Sequence, residues 1–257
     1  MNYFFGFKNN TFQCQLQIPL FQNRNFKKKD YQLFKTFPRN NKWILEELSH
    51  HKINEYFYLL NNDDISNDEI YFLAKNTILD EFDFKKLRNF NSFTDTIPEY
   101  RSNFKLSLKD GGFSSYQSDY PYSMVSKKGS IVSQLSSIAN SKADKNFILF
   151  KNIYEKPIQE YFKAYLIDYK MKKIEQEFLI KTNHTNLIQL NNNLIRPEMF
   201  LVTDKYLGIP IYISEQNKHL SIEHTHPLHI YILSNDKYSK VTNLKNEMHE
   251  IINKKIC

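Results

Sequence analysis

The 257-residue sequence predicts a mainly β protein, α+β overall, with a β-sandwich-like or open-barrel domain, flanking helices and a C-terminal helix. Three observations predict it. The stretch TFQCQLQIPLF alternates apolar and polar residues, putting Phe12, Cys14, Leu16, Ile18 and Leu20 on one face, which is the period of a half-buried strand. Asp110-Gly111-Gly112 lies between two alternating runs, where glycine permits the positive φ of a hairpin turn. From FILF at 147–150 to IPIYIS at 209–214, short β-rich segments are broken by polar turns every dozen residues or so, the rhythm of a sandwich or open barrel.

The elements follow in chain order. Pro19 marks the end of the first alternating strand or an edge position. KWILEELSH at 42–50 carries Trp43, Ile44, Leu45 and Leu48 at helical spacing behind Asn40 and Asn41, either of which can cap, so a short helix is expected. EYFYLLNN and EIYFLAKN, separated by the polar DDISND, read as a hairpin. DFKKLRNF brings Phe84, Leu87 and Phe90 to one side with Asp83 as its cap, a second short helix. These elements compose an N-terminal α+β region, residues 1–95.

A β-sandwich-like domain closed by the C-terminal helix, residues 96–257, follows. Its expected punctuation is the hairpin at 110–112, a turn at SKKGS (126–130) and a polar loop at SSIANSKADKN before FILF. Between Tyr161 and Thr182, Ile158, Phe162, Tyr165 and Tyr169 suit a helix, whereas YFKAYLIDY and KIEQEFLIKT around polar KMKK suit a hairpin. The hairpin continues the surrounding rhythm and is the reading adopted. Val241, Leu244, Met248 and Ile251 recur at helical spacing, with Lys254 and Lys255 suited to the negative end of the helix dipole.

Composition narrows the function classes. The N-terminus lacks the pattern of a secretory signal, and no segment approaches the ~20 apolar residues of a spanning helix. Together with only two cysteines, Cys14 and Cys257, this points to a cytoplasmic, reducing location without a disulfide framework. The net charge of +7 raises nucleic acid as a partner. Against it, five of the 35 basic residues are arginines and the lysine pairs are dispersed, with one triplet at Lys27 to Lys29. Base and phosphate recognition favours arginine's planar fork, so the lysines read as a solvated face and nucleic acid is not expected.

Motifs are mostly absent. With five glycines, the chain has no GxGxxG, GxxxxGK or GxSxG, which lowers the nucleotide-binding and serine-hydrolase classes. NDDISNDE places Asp64, Ser66 and Asp68 at alternate positions like a calcium loop, but Glu69 occupies the site where the sharp turn needs glycine. A solvated turn is the expectation.

Two candidate sites emerge. SSYQSDYPYSM holds Tyr116, Tyr120 and Tyr122 near Arg101 in sequence, a potential stacking surface for a sugar or a base. SIEHTHPLHIYIL holds three of the eight histidines. On a strand, His224 and His226 share a face with Leu220 and Ile222 and can meet one divalent ion (Zn, Fe, Mn or Ni), with His229 as third ligand after the bend at Pro227 and Glu223 facing away. The spacing is similar to the HxH of cupin-type sites, although the following glutamate and a second downstream histidine motif are missing. Core-lining histidines bonded to backbone carbonyls are the competing account. The functional expectation is a non-catalytic binding or accessory protein of unassigned ligand or protein partner, the alternative being a metal-dependent, cupin-like enzyme.

Overall fold

The computed structural model describes residues 2–19, 31–48, 57–75, 82–84, 102–121, 125, 133–134, 139–203, 205–224, 228 and 232–256. The fold is mainly β, built of antiparallel sheets with one C-terminal helix, as the sequence predicts. The chain divides into two compact units. The first comprises Met1–Ser126, Ile153–Gln159 and Thr182–Thr185; the second comprises Lys127–Asn152, Glu160–Lys181 and Asn186–Cys257.

The first unit is built from β1 (Asn2–Phe4), β2 (Phe12–Pro19), β3 (Tyr31–Arg39), β4 (Lys42–Glu47), β5 (Phe57–Leu60), β6 (Ile70–Lys75), β7 (Asn103–Leu108), β8 (Phe113–Gln117) and β9 (Asp119–Pro121). They form a five-stranded sheet ordered β4-β3-β6-β1-β9 and a four-stranded sheet ordered β5-β2-β7-β8. The alternation of β2 is kept: Phe12, Cys14, Leu16 and Ile18 are buried and the intervening glutamines face outward. Strand β6 is central, and Ile70 through Ala74 are buried on both of its faces. Aromatic rings fill one of those faces. Phe72 stacks on Phe34 with centroids 5.7 Å apart, and Tyr3 and Trp43 meet Phe84 edge-on at 5.4 and 5.3 Å.

Two expectations for this region are corrected. KWILEE is the strand β4, not a helix. Asn40 and Asn41 have φ of 51° and 58°, so they form a two-residue turn of the I′ kind that returns the chain antiparallel to β3, with Thr36 opposite Leu45. Asparagine tolerates the left-handed region, which explains why residues read as helix caps serve as a hairpin turn instead. EYFYLLNN and EIYFLAKN do not pair with each other: β5 adds to β2, while β6 lies between β3 and β1. Both runs are strands, but a period-2 pattern carries no information about partners. The hairpin at Asp110-Gly111-Gly112 is present, joining β7 to β8 with Leu106 opposite Ser114. The DFKKLRNF segment beyond Phe84, the SKKGS turn and Lys27 to Lys29 lie outside the described residues.

The second unit contains β10 (Ser133–Gln134), β11 (Lys145–Lys151), β12 (Tyr161–Asp168), β13 (Lys173–Lys181), β14 (Thr185–Leu190), β15 (Met199–Val202), β16 (Ile209–Gln216), β17 (His219–His224) and α1 (Lys237–Ile256). One sheet is ordered β10-β15-β12-β13 and the other β14-β11-β16-β17. Phe162, Ala164 and Leu166 of β12 share a core with Ile148 and Phe150 of β11 and with Ile188 of β14, so the two sheets bury facing sides. The other face of β12 and β15 contributes Tyr165, Ile167, Phe200 and Val202 to a second core closed by Met248 and Ile252 of α1. The helix therefore packs by the stripe its spacing predicts.

The β12–β13 hairpin has the expected turn after Asp168, with Lys172 at φ 49°. Its register skips Glu175: Leu166 faces Gln176 and Ile167 faces Ile174. This bulge reverses the side-chain phase, which turns Ile174 toward the helix-side core. Asp168, nearly buried, accepts from the Met171 N–H at 2.8 Å and pairs with Arg196 at 2.7 Å, fixing the turn. Gly208, at φ 91°, has no room for a side chain, because a Cβ would lie 1.7 Å from the Lys151 carbonyl oxygen.

Candidate functional site

The residues singled out in sequence are scattered. Tyr120 on β9 is entirely buried, and its hydroxyl accepts from the Ile153 N–H at 3.2 Å. Tyr116 lies on β8 in the other sheet of the first unit, opposite Phe104 and half-buried. A tyrosine inside the core presents no ring to a ligand, so these two do not form one stacking surface. Arg101 and Tyr122 lie outside the described residues. His224 is the last residue of β17, an edge strand, and pairs in register with Ile211. It is half-buried and in phase with buried Ile222, while Glu223 is exposed on the opposite face, as strand geometry dictates. His226 and His229 lie outside the described residues. Among the described residues no group of three His, Cys, Asp or Glu side chains is placed to hold a metal ion.

A polar groove of about 640 Å³ that no sequence motif marks opens in the first unit, lined by Lys8, Lys35, Leu48, the 63–69 loop and His184. Lys35 sits in register between Glu46 on β4 and Tyr71 on β6. Its ammonium pairs with Glu69 at 2.8 Å and Glu46 at 3.2 Å. Burial acts to lower its pKa, but the bonds and attraction to Glu69 and Glu46 outweigh it and hold it above its ordinary value. The Tyr71 hydroxyl donates to Glu69 at 2.6 Å. Burial first, and the Glu69 charge second, push that phenol well above its usual range.

His184 bonds Asp68 at 2.7 Å across 116 residues of sequence. The turn that presents it is held on both sides. Asn183, at φ 51°, donates to the Lys156 and Ile158 carbonyls, and the Thr185 N–H donates to Asn67. The carboxylates of the 63–69 loop do not converge as calcium ligands would: Asp64 accepts from Asn61, Asp68 meets His184 and Glu69 meets Lys35. The segment is a partly exposed turn, as expected, in which Asp64, Asp68 and Glu69 accept from or pair with protein partners. Nothing in one sequence links Lys35, Asp68 and His184, because their proximity is created by strand pairing and chain return.

The same unit has a second surface, the outward side of the β5-β2-β7-β8 sheet, polar along β2 and β7 and apolar at Phe57 and Leu59 on β5. Gln15 and Lys105 stand opposite each other in register, as do Gln17 and Asn103, and on the next pair Lys105 faces Ser115. Three hydrogen bonds join the amides: Asn103 donates to Gln17 at 3.4 Å, Gln17 to Gln15 at 3.2 Å and Gln15 to Asn61 at 3.2 Å. A depression of about 250 Å³ opens beside Gln13, Gln15, Asn61, Asp63 and Lys105. At the rim, Phe113 on edge strand β8 is 62% exposed, with the Lys105 ammonium 4.0 Å from its ring centroid. Lys105 is the one charged side chain pointing outward from these four strands. Cys14, beneath the face, is buried, and burial pushes its thiol up to about 12, where it is inert as a nucleophile.

Searches of protein-family models, curated proteins and solved structures returned no match to this chain.

Proposed function

We propose that this chain is a non-catalytic binding or accessory protein and that its ligand is held on the outward face of the β5-β2-β7-β8 sheet. The observation that carries the reading is the amide chain Asn103–Gln17–Gln15–Asn61, which orients hydrogen-bonding side chains before any ligand arrives. Pre-ordered side chains lose little further entropy on binding. The groove around His184 supports a structural role better, since Lys35 is paired with Glu46 and Glu69 and His184 is bonded to Asp68. A face with one outward cation is a poor fit to nucleic acid, which is held chiefly through several phosphate contacts. A cytoplasmic location belongs to the same proposal and rests on sparse cysteine usage and the buried free thiol of Cys14. Among the described residues no helix is long and apolar enough to cross a membrane.

The test is a thermal-shift screen of saccharides, peptides and metabolites against the wild type and a Gln15→Ala/Lys105→Ala variant. Ligands of the face raise the wild-type melting temperature with concentration and leave the variant unmoved. Chemical conversion of such a ligand by the protein would end the non-catalytic reading, and shifts that survive in the variant would remove the face.

A second reading, a metal-dependent enzyme built on His224, His226 and His229, draws on the phase of His224 beside Ile222 at the end of an edge strand. Metal content of protein purified without tag or chelator tests it. Stoichiometric metal lost in His224→Ala supports it, and none after careful reconstitution rejects it.

A further inference from the structure

We infer that the ligand of this amide face is a neutral polyhydroxylated chain, an oligosaccharide or polysaccharide; the inference rests on the binding role proposed above. Side chains along one face of a strand stand roughly 7 Å apart and neighbouring strands about 5 Å apart. Gln13, Gln15 and Gln17 with Asn103 therefore form a flat lattice of carboxamides on the scale of sugar rings. Each carboxamide offers two N–H donors and a two-lone-pair acceptor. The chain from Asn103 to Asn61 uses one donor of each of three amides, which leaves second donors to meet hydroxyls, themselves donor and acceptor at once. A sugar's other side is its apolar C–H face, and Phe113 supplies the matching flat apolar ring at the rim. Lys105, over that ring, fixes its orientation by cation–π attraction.

Charge and polarity exclude the other occupants. Anionic glycans and acidic peptides need several cations, and the outward side of these strands has Lys105 alone, already engaged by Phe113. A second copy of the chain packed face to face would need an apolar interface centre, whereas this face is centred on amides. The second unit offers a contrast: on β13, Glu177 and Lys181 flank exposed Leu179, an ordinary charged surface.

Affinity electrophoresis in gels containing soluble neutral polysaccharides (dextran, mannan, xyloglucan, hydroxyethylcellulose), with heparin as the anionic comparison, tests the inference. The wild type is expected to be retarded by at least one neutral polymer, and Phe113→Ala and Gln15→Ala are each expected to weaken that retardation about ten-fold. Both sites are at the surface, and unchanged melting temperatures show the variants folded. Leu179→Ala on the second unit is expected to behave as wild type. The inference is overturned if no neutral polymer retards the protein, if heparin alone does, if the face variants migrate as wild type, or if retardation follows a dimer that Phe113→Ala dissolves. Failure here with thermal-shift ligands of another class still lost in Gln15→Ala/Lys105→Ala would remove the sugar and leave the binding role. Failure of both removes both.

Discussion

The two units solve one problem with different materials. Each is a pair of antiparallel sheets, but the first packs a face of its five-stranded sheet with aromatic rings, Tyr3, Phe34, Trp43, Phe72, Phe82 and Phe84 in mutual contact. The second fills the space between its sheets mainly with aliphatic side chains from β11, β12, β14 and β15, then covers the far face of β12 and β15 with α1. A helix over one sheet commits both of its faces to packing. The four-stranded sheet of the first unit keeps amides and Lys105 at the centre of its outward face, and the surface proposed to bind ligand is there. Burial and recognition compete for the same sheet faces, and the two units divide that competition differently.

Truncation of the aromatic core should have the largest effect. Phe72 is buried and touches Tyr3, Phe34 and Phe82, so Phe72→Ala should destabilise the first unit by about 3–5 kcal/mol through lost transfer energy and a cavity. Hydrogen exchange should show the loss in β1, β3 and β6. An equal loss of protection in β11 and β16 would mean that the units unfold together, and the distinction between two cores would fail.

Met248→Ala tests the helix as the closing layer. Met248 is buried in the core shared with Ile167 and Val202, so the change should cost about 2–4 kcal/mol in denaturant titration, with α1 losing exchange protection first. If the midpoint barely moves, α1 decorates the sheet and the contrast between the units weakens.

A pH experiment addresses the same layer electrostatically. Bonds from Lys255 of α1, first, and from Lys163 of β12, second, hold the Glu177 carboxyl down from 4.5 to about 2. A depressed folded-state pKa adds stability above the unfolded value, and that stability is lost as pH falls through the folded one. Protection of the last turns of α1 should therefore decline between about pH 4.5 and 2 and do so less in Glu177→Gln. The pair is solvent-exposed, so high salt should also blunt the effect. A profile identical in the two proteins would assign the helix contact to Met248 and its neighbours alone.

The smallest effect is expected at the β12–β13 turn. Inserting Gly-Gly between Lys170 and Met171 lengthens an exposed turn, and loop-closure entropy predicts roughly 1 kcal/mol. A much greater loss would show that the bond from the Met171 N–H to Asp168 matters beyond local closure.

Legibility in the sequence followed the range of the interaction. The β2 alternation, the Asp110-Gly111-Gly112 hairpin, the 161–182 hairpin and the helical stripe of Val241 to Ile251 were readable because each signal is completed within about twenty residues. The β4 strand was misread, since Trp43, Ile44 and Leu45 satisfy a helical spacing as well as a strand, and the deciding information is the positive φ at Asn40 and Asn41. Of the candidate site residues, the outward glutamines of β2 were visible as a polar phase, but they were read as the solvent side of a strand. Tyr120 has the local setting of a surface residue in sequence, but its ring serves the core.

By itself the sequence determined the mainly β class, the terminal helix and the phase of each alternating strand, His224 with Ile222 included, because side-chain period follows from backbone geometry and needs no partner. Only the tertiary structure decided which strands pair beyond the local hairpins, and with that everything collected across distance. It sent β5 to β2 and β6 to β3, joined His184 to Asp68, set Lys35 between Glu46 and Tyr71, and aligned Gln17 with Asn103 on one face. Pairing is a choice among many apolar edges of similar local character, and the energy that settles it comes from the whole core at once.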